Sequence, residues 1–171
     1  MTNIILIFIA FLIILLVWLV NLVVTIIANQ DRIRESKLQL KETIRSYLDI
    51  VPLILFKTNH LNKDLLQERS AWFNTWNAPE EHWPLFVNFD RKIDQIIKDY
   101  ELNNPEAKND KLYQQIRNDL KEREYQVRTQ THTYNSWIIK FRHKLEKKLY
   151  RIAYKLDFKY GNKNYKLLAD F

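Results

Sequence analysis

Residues 4–28 read IILIFIAFLIILLVWLVNLVVTIIA, 25 consecutive positions without a charge, in which Asn21 and Thr25 alone interrupt the aliphatic and aromatic side chains. About 20 such residues cross the hydrocarbon core of a bilayer as a helix, so the run is long enough to span with some tilt. A secretory signal is the competing reading. It calls for a basic leading region, an apolar stretch of about 7–15 residues and a small-residue cleavage site. Met1-Thr2-Asn3 carries no Lys or Arg, the run is longer, and Ala28-Asn29-Gln30 is a poor cleavage site. A retained anchor over residues 1–29 is therefore expected. Arg32, Arg34, Lys37, Lys41 and Arg45 follow the run and no basic residue precedes it. Lys and Arg close to a span stay in the cytoplasm, which puts the N-terminus outside and residues 30–171 on the cytoplasmic side.

Working outward, composition narrows the rest of the chain. The 171 residues include one Gly, four Pro and no Cys. Without Cys there is no disulfide framework and no thiolate metal site. With one Gly, neither a phosphate-cradling loop nor a nucleophile elbow can be built, and the tight hairpin turns of an all-β fold are scarce. Helices almost throughout are expected. Ile33, Leu40, Ile44, Tyr47, Leu48, Val51 and Leu55 recur at steps of three, four or seven, marking one apolar helix face that continues the anchor. Pro52 lies inside that pattern and predicts a kink or break near Leu48–Val51.

A second stripe runs Leu61, Leu65, Arg69, Trp72, Phe73, Trp76, and ends where Asn77 can cap and Pro79 can enter the first turn of a new helix. A third reads Phe86, Phe89, Ile93, Ile96, Ile97, Tyr100, before a turn at Leu102-Asn103-Asn104-Pro105. The last, from Tyr113 through Leu120, Val127, Tyr134, Ile138 and Phe141 to Leu156, keeps an average step of about 3.6 residues. One helix of that length is unusual, so a break is expected after Phe141. The fold class expected is all-α: an N-terminal membrane helix (1–29), a cytoplasmic antiparallel bundle of three to four long helices (30–141), and a basic amphipathic C-terminal segment (142–171).

Several of these residues also carry a family likeness. Asn104-Pro105-Glu106-Ala107-Lys108, followed by Tyr113, Ile116, Asp119-Leu120, Glu124, Val127 and Tyr134-Asn135, and the patch Asp49-Ile50-Val51-Pro52 further upstream, resemble the LemA family of bacterial membrane proteins. The family's paired arginines before the upstream patch fall on Ser46 and Tyr47 here, and residues 57–95 do not align. The resemblance implies one membrane helix followed by a cytoplasmic helical bundle at the bacterial inner membrane. It implies no catalytic residue.

Two features point toward function. Residues 140–171 hold ten basic and three acidic residues, while residues 29–139 balance, so the whole net charge of +7 sits in the tail. Lys144, Lys147, Lys148, Arg151, Lys155 and Lys159 are candidate contacts to an anionic leaflet, with Leu145, Leu149, Ile152 and Leu156 as the buried edge. Aromatics interleaved with these cations, among them Phe141, Tyr150 and Tyr154, offer the alternative of a membrane-tethered binder of nucleic acid or another polyanion. No recognition signature for nucleic acid is legible, and a membrane anchor argues against that client. The second feature is Trp72, Trp76 and Trp83, candidate anchors for an unidentified protein partner if exposed and bundle core if buried; Pro84 leaves room for a loop tip carrying Trp83.

Homo-oligomerisation through the long stripes is a further option. His60, His82, His132 and His143 are scattered, His60 and Asp64 are expected to share one helix face at four residues apart as a surface contact, and Glu80-Glu81-His82 is a weak cation motif. No catalytic, cofactor-binding or metal-ligating residue is nominated, and a scaffold or interaction module without catalysis is expected.

Overall fold

The computed structural model describes residues 2–60, 63–75, 79–147, 150–151, 154 and 165–168, with the side chains of 2–3 and 72–81 excluded. The chain is all-α: α1 (Thr2–Lys57), α2 (Lys63–Thr75), α3 (Pro79–Asn103), a 3-10 turn (Pro105–Asn109) and α4 (Lys111–Glu146). No strand occurs among the described residues. Two compact units can be distinguished. The first joins Met1–Glu35 with Ser136–Lys166, and the second joins Ser36–Asn135 with Leu167–Phe171. The described part of the basic segment up to Lys166 belongs with the anchor, and Leu167–Leu168 belong with the bundle.

The 56 residues of α1 extend about 84 Å at 1.5 Å per residue. In the first unit, every side chain from Ile4 to Val20 is exposed, the large apolar ones by 41–73%. Helix α1 is long and apolar enough to cross a membrane. From Leu22 on, one face is covered: Leu22, Ile26, Asn29 and Ile33, at steps of four, three and four, are at most 5% exposed. The apolar run thus has two parts, a bare segment of about 26 Å and a lower segment with one face already packed by protein. Thr25 is accommodated locally, because its Oγ1 donates to the Asn21 carbonyl (2.8 Å). Asn29 Nδ2 donates in the same way to the Thr25 carbonyl, so these polar groups need no water.

The second unit is built from the stripes. Leu40, Ile44, Tyr47, Leu48, Val51 and Leu55 of α1, Phe86, Phe89, Ile93 and Ile97 of α3, and Tyr113, Leu120, Val127 and Tyr134 of α4 are all buried. Their helical spacing leaves one face of each helix to pack. Rings set the depth of the core, with Trp83 stacked on Phe86 (5.4 Å between centroids) and Tyr47 meeting Phe86 edge-on (5.8 Å).

Three proline expectations meet different outcomes. Pro79 opens α3 as expected, while Asn77 lies outside the described residues. Pro84 does not end a helix; α3 passes through it, and burial of Trp83 and Phe86 overrides the local preference of a residue before proline. Pro52 does not break α1 either. A proline cannot donate to the carbonyl four residues back, here that of Leu48. Arg69 of α2 supplies the missing donor: its Nε lies 2.6 Å from the Leu48 oxygen, and its Nη2 lies 3.0 Å from Asp49 Oδ1. The helix continues because a tertiary hydrogen bond replaces the lost local one.

The break expected after Phe141 falls at the end of α4, Glu146. Between α3 and α4 the chain turns at Asn104, and Asp110 holds the start of α4 by accepting from the Tyr113 amide (3.0 Å) while pairing with Lys57 Nζ (2.7 Å). This pairing holds the Asp110 carboxyl below its usual range.

Candidate membrane-facing site

In the first unit, the covered part of the apolar run lies beside the last turns of α4. Lys144 Nζ donates to Asn29 Oδ1 (3.3 Å), so both functions of the Asn29 amide are engaged. Arg32 of α1 lies over the Trp137 ring at 4.8 Å from its centroid, and Lys140 Nζ lies 4.6 Å from the same ring. A tryptophan flanked by two cations just beyond an apolar helix is the composition of a membrane-water boundary, where an indole keeps its body in the apolar phase and its N–H wet. Arg34, Lys140, Arg142, Lys147 and Arg151 are exposed in this unit.

The basic residues singled out from composition separate accordingly. Lys144 is half-buried and ties α4 to α1, so it is not a free lipid-facing charge. Lys147 and Arg151 are exposed, and Arg151 Nε reaches back to the Leu145 carbonyl at 3.4 Å. Lys148, Lys155 and Lys159 lie outside the described residues. Phe141 is buried, with Tyr154 and Tyr165 edge-on to it at 5.5 and 5.9 Å. Its ring faces are taken up by protein, which removes it as a platform for stacking bases.

The tryptophan expectation is corrected at one position. Trp83 is 2% exposed and sits inside α3, so it is core and not a partner anchor on a loop tip. Trp72 lies on α2 with its side chain outside the described set, and Trp76 lies outside it altogether. His60 precedes α2, so it does not share a helix face with Asp64; its ring meets the Thr58 carbonyl at 2.7 Å. His143 pairs with Glu146 (2.9 Å), and His132 is exposed. Among the described residues no group of three His, Asp or Glu could hold a metal.

The second unit contains a polar cluster that periodicity did not single out. Tyr47 donates its hydroxyl to Asp90 Oδ1 at 2.5 Å across α1 and α3. Burial pushes the Asp90 carboxyl up to about 6 against the opposing effect of the Tyr47 hydrogen bond; Glu124 and Asp94 raise it further and Arg128 lowers it. Burial, then Asp90, pushes the Tyr47 phenol well above its ordinary value. Glu124 and Arg128 pair at 2.6 Å on α4.

Two shallow clefts of about 430 and 340 Å³ share Tyr100 and Asn104. Of their acids, Asp110 is held by Lys57 and Asp99 accepts from Gln95 (2.8 Å). Neither the cluster nor the clefts bring a nucleophile, a base and an oxyanion donor together among the described residues.

Asn29 and Trp137 in the first unit and Asp90 in the second were not singled out as functional positions from the sequence. Each is one polar or amphipathic position at the edge of an apolar stripe, and the only trace in the sequence is that edge position. Comparison of the chain with family models, with curated proteins and with solved structures returns no match.

Proposed function

We propose that the chain is a single-pass inner-membrane protein of LemA-like type, whose N-out helix holds a cytoplasmic helical bundle that works as a scaffold or interaction module and performs no catalysis. The observation that carries this reading is the bare apolar segment Ile4–Val20, which belongs to the same helix and the same unit as Arg32, with Trp137 and Lys140 beside it. Seventeen exposed apolar residues are intolerable in water and ordinary in lipid. The exposure of Lys140, Lys147 and Arg151 supports contact with an anionic leaflet, at about 1 kcal/mol for each cation near the surface.

The chain has no Cys, so single cysteines report topology directly. Thr2→Cys and Lys121→Cys are expressed separately and treated in intact cells with a membrane-impermeant maleimide, and membranes prepared from the cells afterwards are washed in alkaline carbonate. Retention in the carbonate pellet, labelling of Thr2→Cys in intact cells and labelling of Lys121→Cys only after lysis are expected. Release into the carbonate supernatant would end the anchor reading, and the reverse labelling pattern would end the orientation.

A further inference from the structure

The bundle also carries a short bound peptide, and that peptide is part of its own chain. In the second unit, the Asn135 side chain pairs with both backbone groups of Leu168: Nδ2 donates to the Leu168 carbonyl (2.8 Å) and Oδ1 accepts the Leu168 amide (2.9 Å). The Leu168 side chain is 4% exposed. Residues 165–168 form neither helix nor strand, so Leu168 takes this pair of hydrogen bonds from a side chain where a strand partner would otherwise supply them.

A carboxamide has the donor and acceptor of a peptide group, and pairing with both groups of one residue is how one extended strand recognises another. Such pairing reads backbone, which every extended peptide presents, and the buried leucine adds side-chain selectivity. Asn135 lies in the interior of α4, eleven residues from its end at Glu146, where it caps no terminus and is a weaker helix former than alanine. Its amide is turned to a segment 33 residues away in sequence.

We propose that the surface at Asn135 is a docking site for an extended, leucine-bearing peptide, occupied here by the chain's own Leu168, and that the protein partner of the scaffold engages it with a segment of the same chemistry. The inference rests on the interaction-module reading and names the kind of partner that module takes. A tethered tail competes at an effective concentration of about millimolar, so a partner segment binds when it is itself held at the membrane or when the tail is withdrawn.

The test uses the full-length chain in detergent micelles, which separates it from any question of membrane orientation. Leu168→Asp withdraws the tail by placing a charge where a buried leucine sits. A fluorescein-labelled peptide with the sequence of residues 163–171 is titrated against wild type, against Leu168→Asp, and against Leu168→Asp with Asn135→Ala. Binding at least tenfold tighter to Leu168→Asp than to wild type, and at least tenfold weaker once Asn135→Ala is added, is expected. Equal affinity for all three, or no binding to any, overturns the proposal.

A second measurement covers loss of fold in the doubly substituted chain. Leu167, which is 43% exposed, is replaced by Cys and labelled with a fluorophore in an otherwise wild-type protein. Its anisotropy is expected to fall when Asn135→Ala is introduced, with the helical circular dichroism unchanged. Unchanged anisotropy overturns the proposal.

Discussion

Replacing Arg69 with Met removes the guanidinium and keeps most of the aliphatic stem, so it isolates the hydrogen bond to the Leu48 carbonyl that Pro52 leaves without its helical donor. The magnitude follows from two contributions. A hydrogen bond from a charged donor contributes about 1.5–3 kcal/mol. The ion pair with Asp49, whose side chain is 58% exposed, contributes little, about 0–0.5 kcal/mol after solvent screening. Arg69→Met is therefore expected to destabilise the bundle by about 2–3 kcal/mol.

In a Pro52→Ala background the alanine amide can donate to Leu48, and the same substitution should lose only about 1 kcal/mol. The coupling between positions 52 and 69 is then about 1–2 kcal/mol, well outside the few tenths expected of independent sites. Urea unfolding of the four full-length proteins in detergent, followed by circular dichroism at 222 nm, measures it. Equal losses from Arg69→Met in both backgrounds would refute the reasoning and make Arg69 an ordinary surface arginine. Pro52→Ala alone should stabilise by only about 1–2 kcal/mol, less than the roughly 3 kcal/mol that a proline in a helix interior costs where nothing compensates it, because Arg69 already supplies a donor.

Three further outcomes are expected. Asp90 binds its proton more tightly folded, at about 6, than its ordinary 3.8. The native state thus holds more protons between those values, and stability falls as pH rises from about 4 to 6, on the order of 2–3 kcal/mol in all. Asp90→Asn should flatten that slope in unfolding measured across the range, and an unchanged slope would assign it elsewhere. Trp83→Ala should destabilise by about 3–5 kcal/mol, lowering the midpoint of thermal unfolding by 10 °C or more, since it empties a core site stacked on Phe86; a shift of a degree or two would return Trp83 to the surface. Leu12→Arg puts a charge in the bare segment at about 2.5–3.5 kcal/mol against insertion, and a matching loss of carbonate-resistant protein is expected; full retention would count against a membrane span.

How much was legible in the sequence depends on the range of the interaction concerned. The apolar run 4–28 and the step of about 3.6 residues in each stripe are local properties, because backbone hydrogen bonding within a helix and the hydration of each side chain refer only to near neighbours. Hence the all-α class, the buried faces of α1, α3 and α4 and the end of α4 soon after Phe141 were all readable. The persistence of α1 through Pro52 was not, since it rests on a guanidinium 21 residues away. Trp83 was ambiguous for the same reason: spacing put it near a stripe, Pro84 argued for a loop, and packing against Phe86 decided.

Charge was the least legible property. Composition counted Lys144 among the lipid-facing cations, but its amine is held by Asn29, 115 residues earlier in the chain. Asp90 is one acid among twenty in the sequence, and it is chiefly burial, against the opposing Tyr47 hydrogen bond, that moves its titration toward neutrality. Asn135 stands in the sequence only as part of the Tyr134-Asn135 likeness, and nothing there shows the Leu168 backbone held against it. Helix content and membrane propensity sum over neighbouring residues, so the sequence by itself determined them. Burial, ion pairing and the engagement of one amide by a distant backbone depend on which faces meet, and those the tertiary structure alone decided.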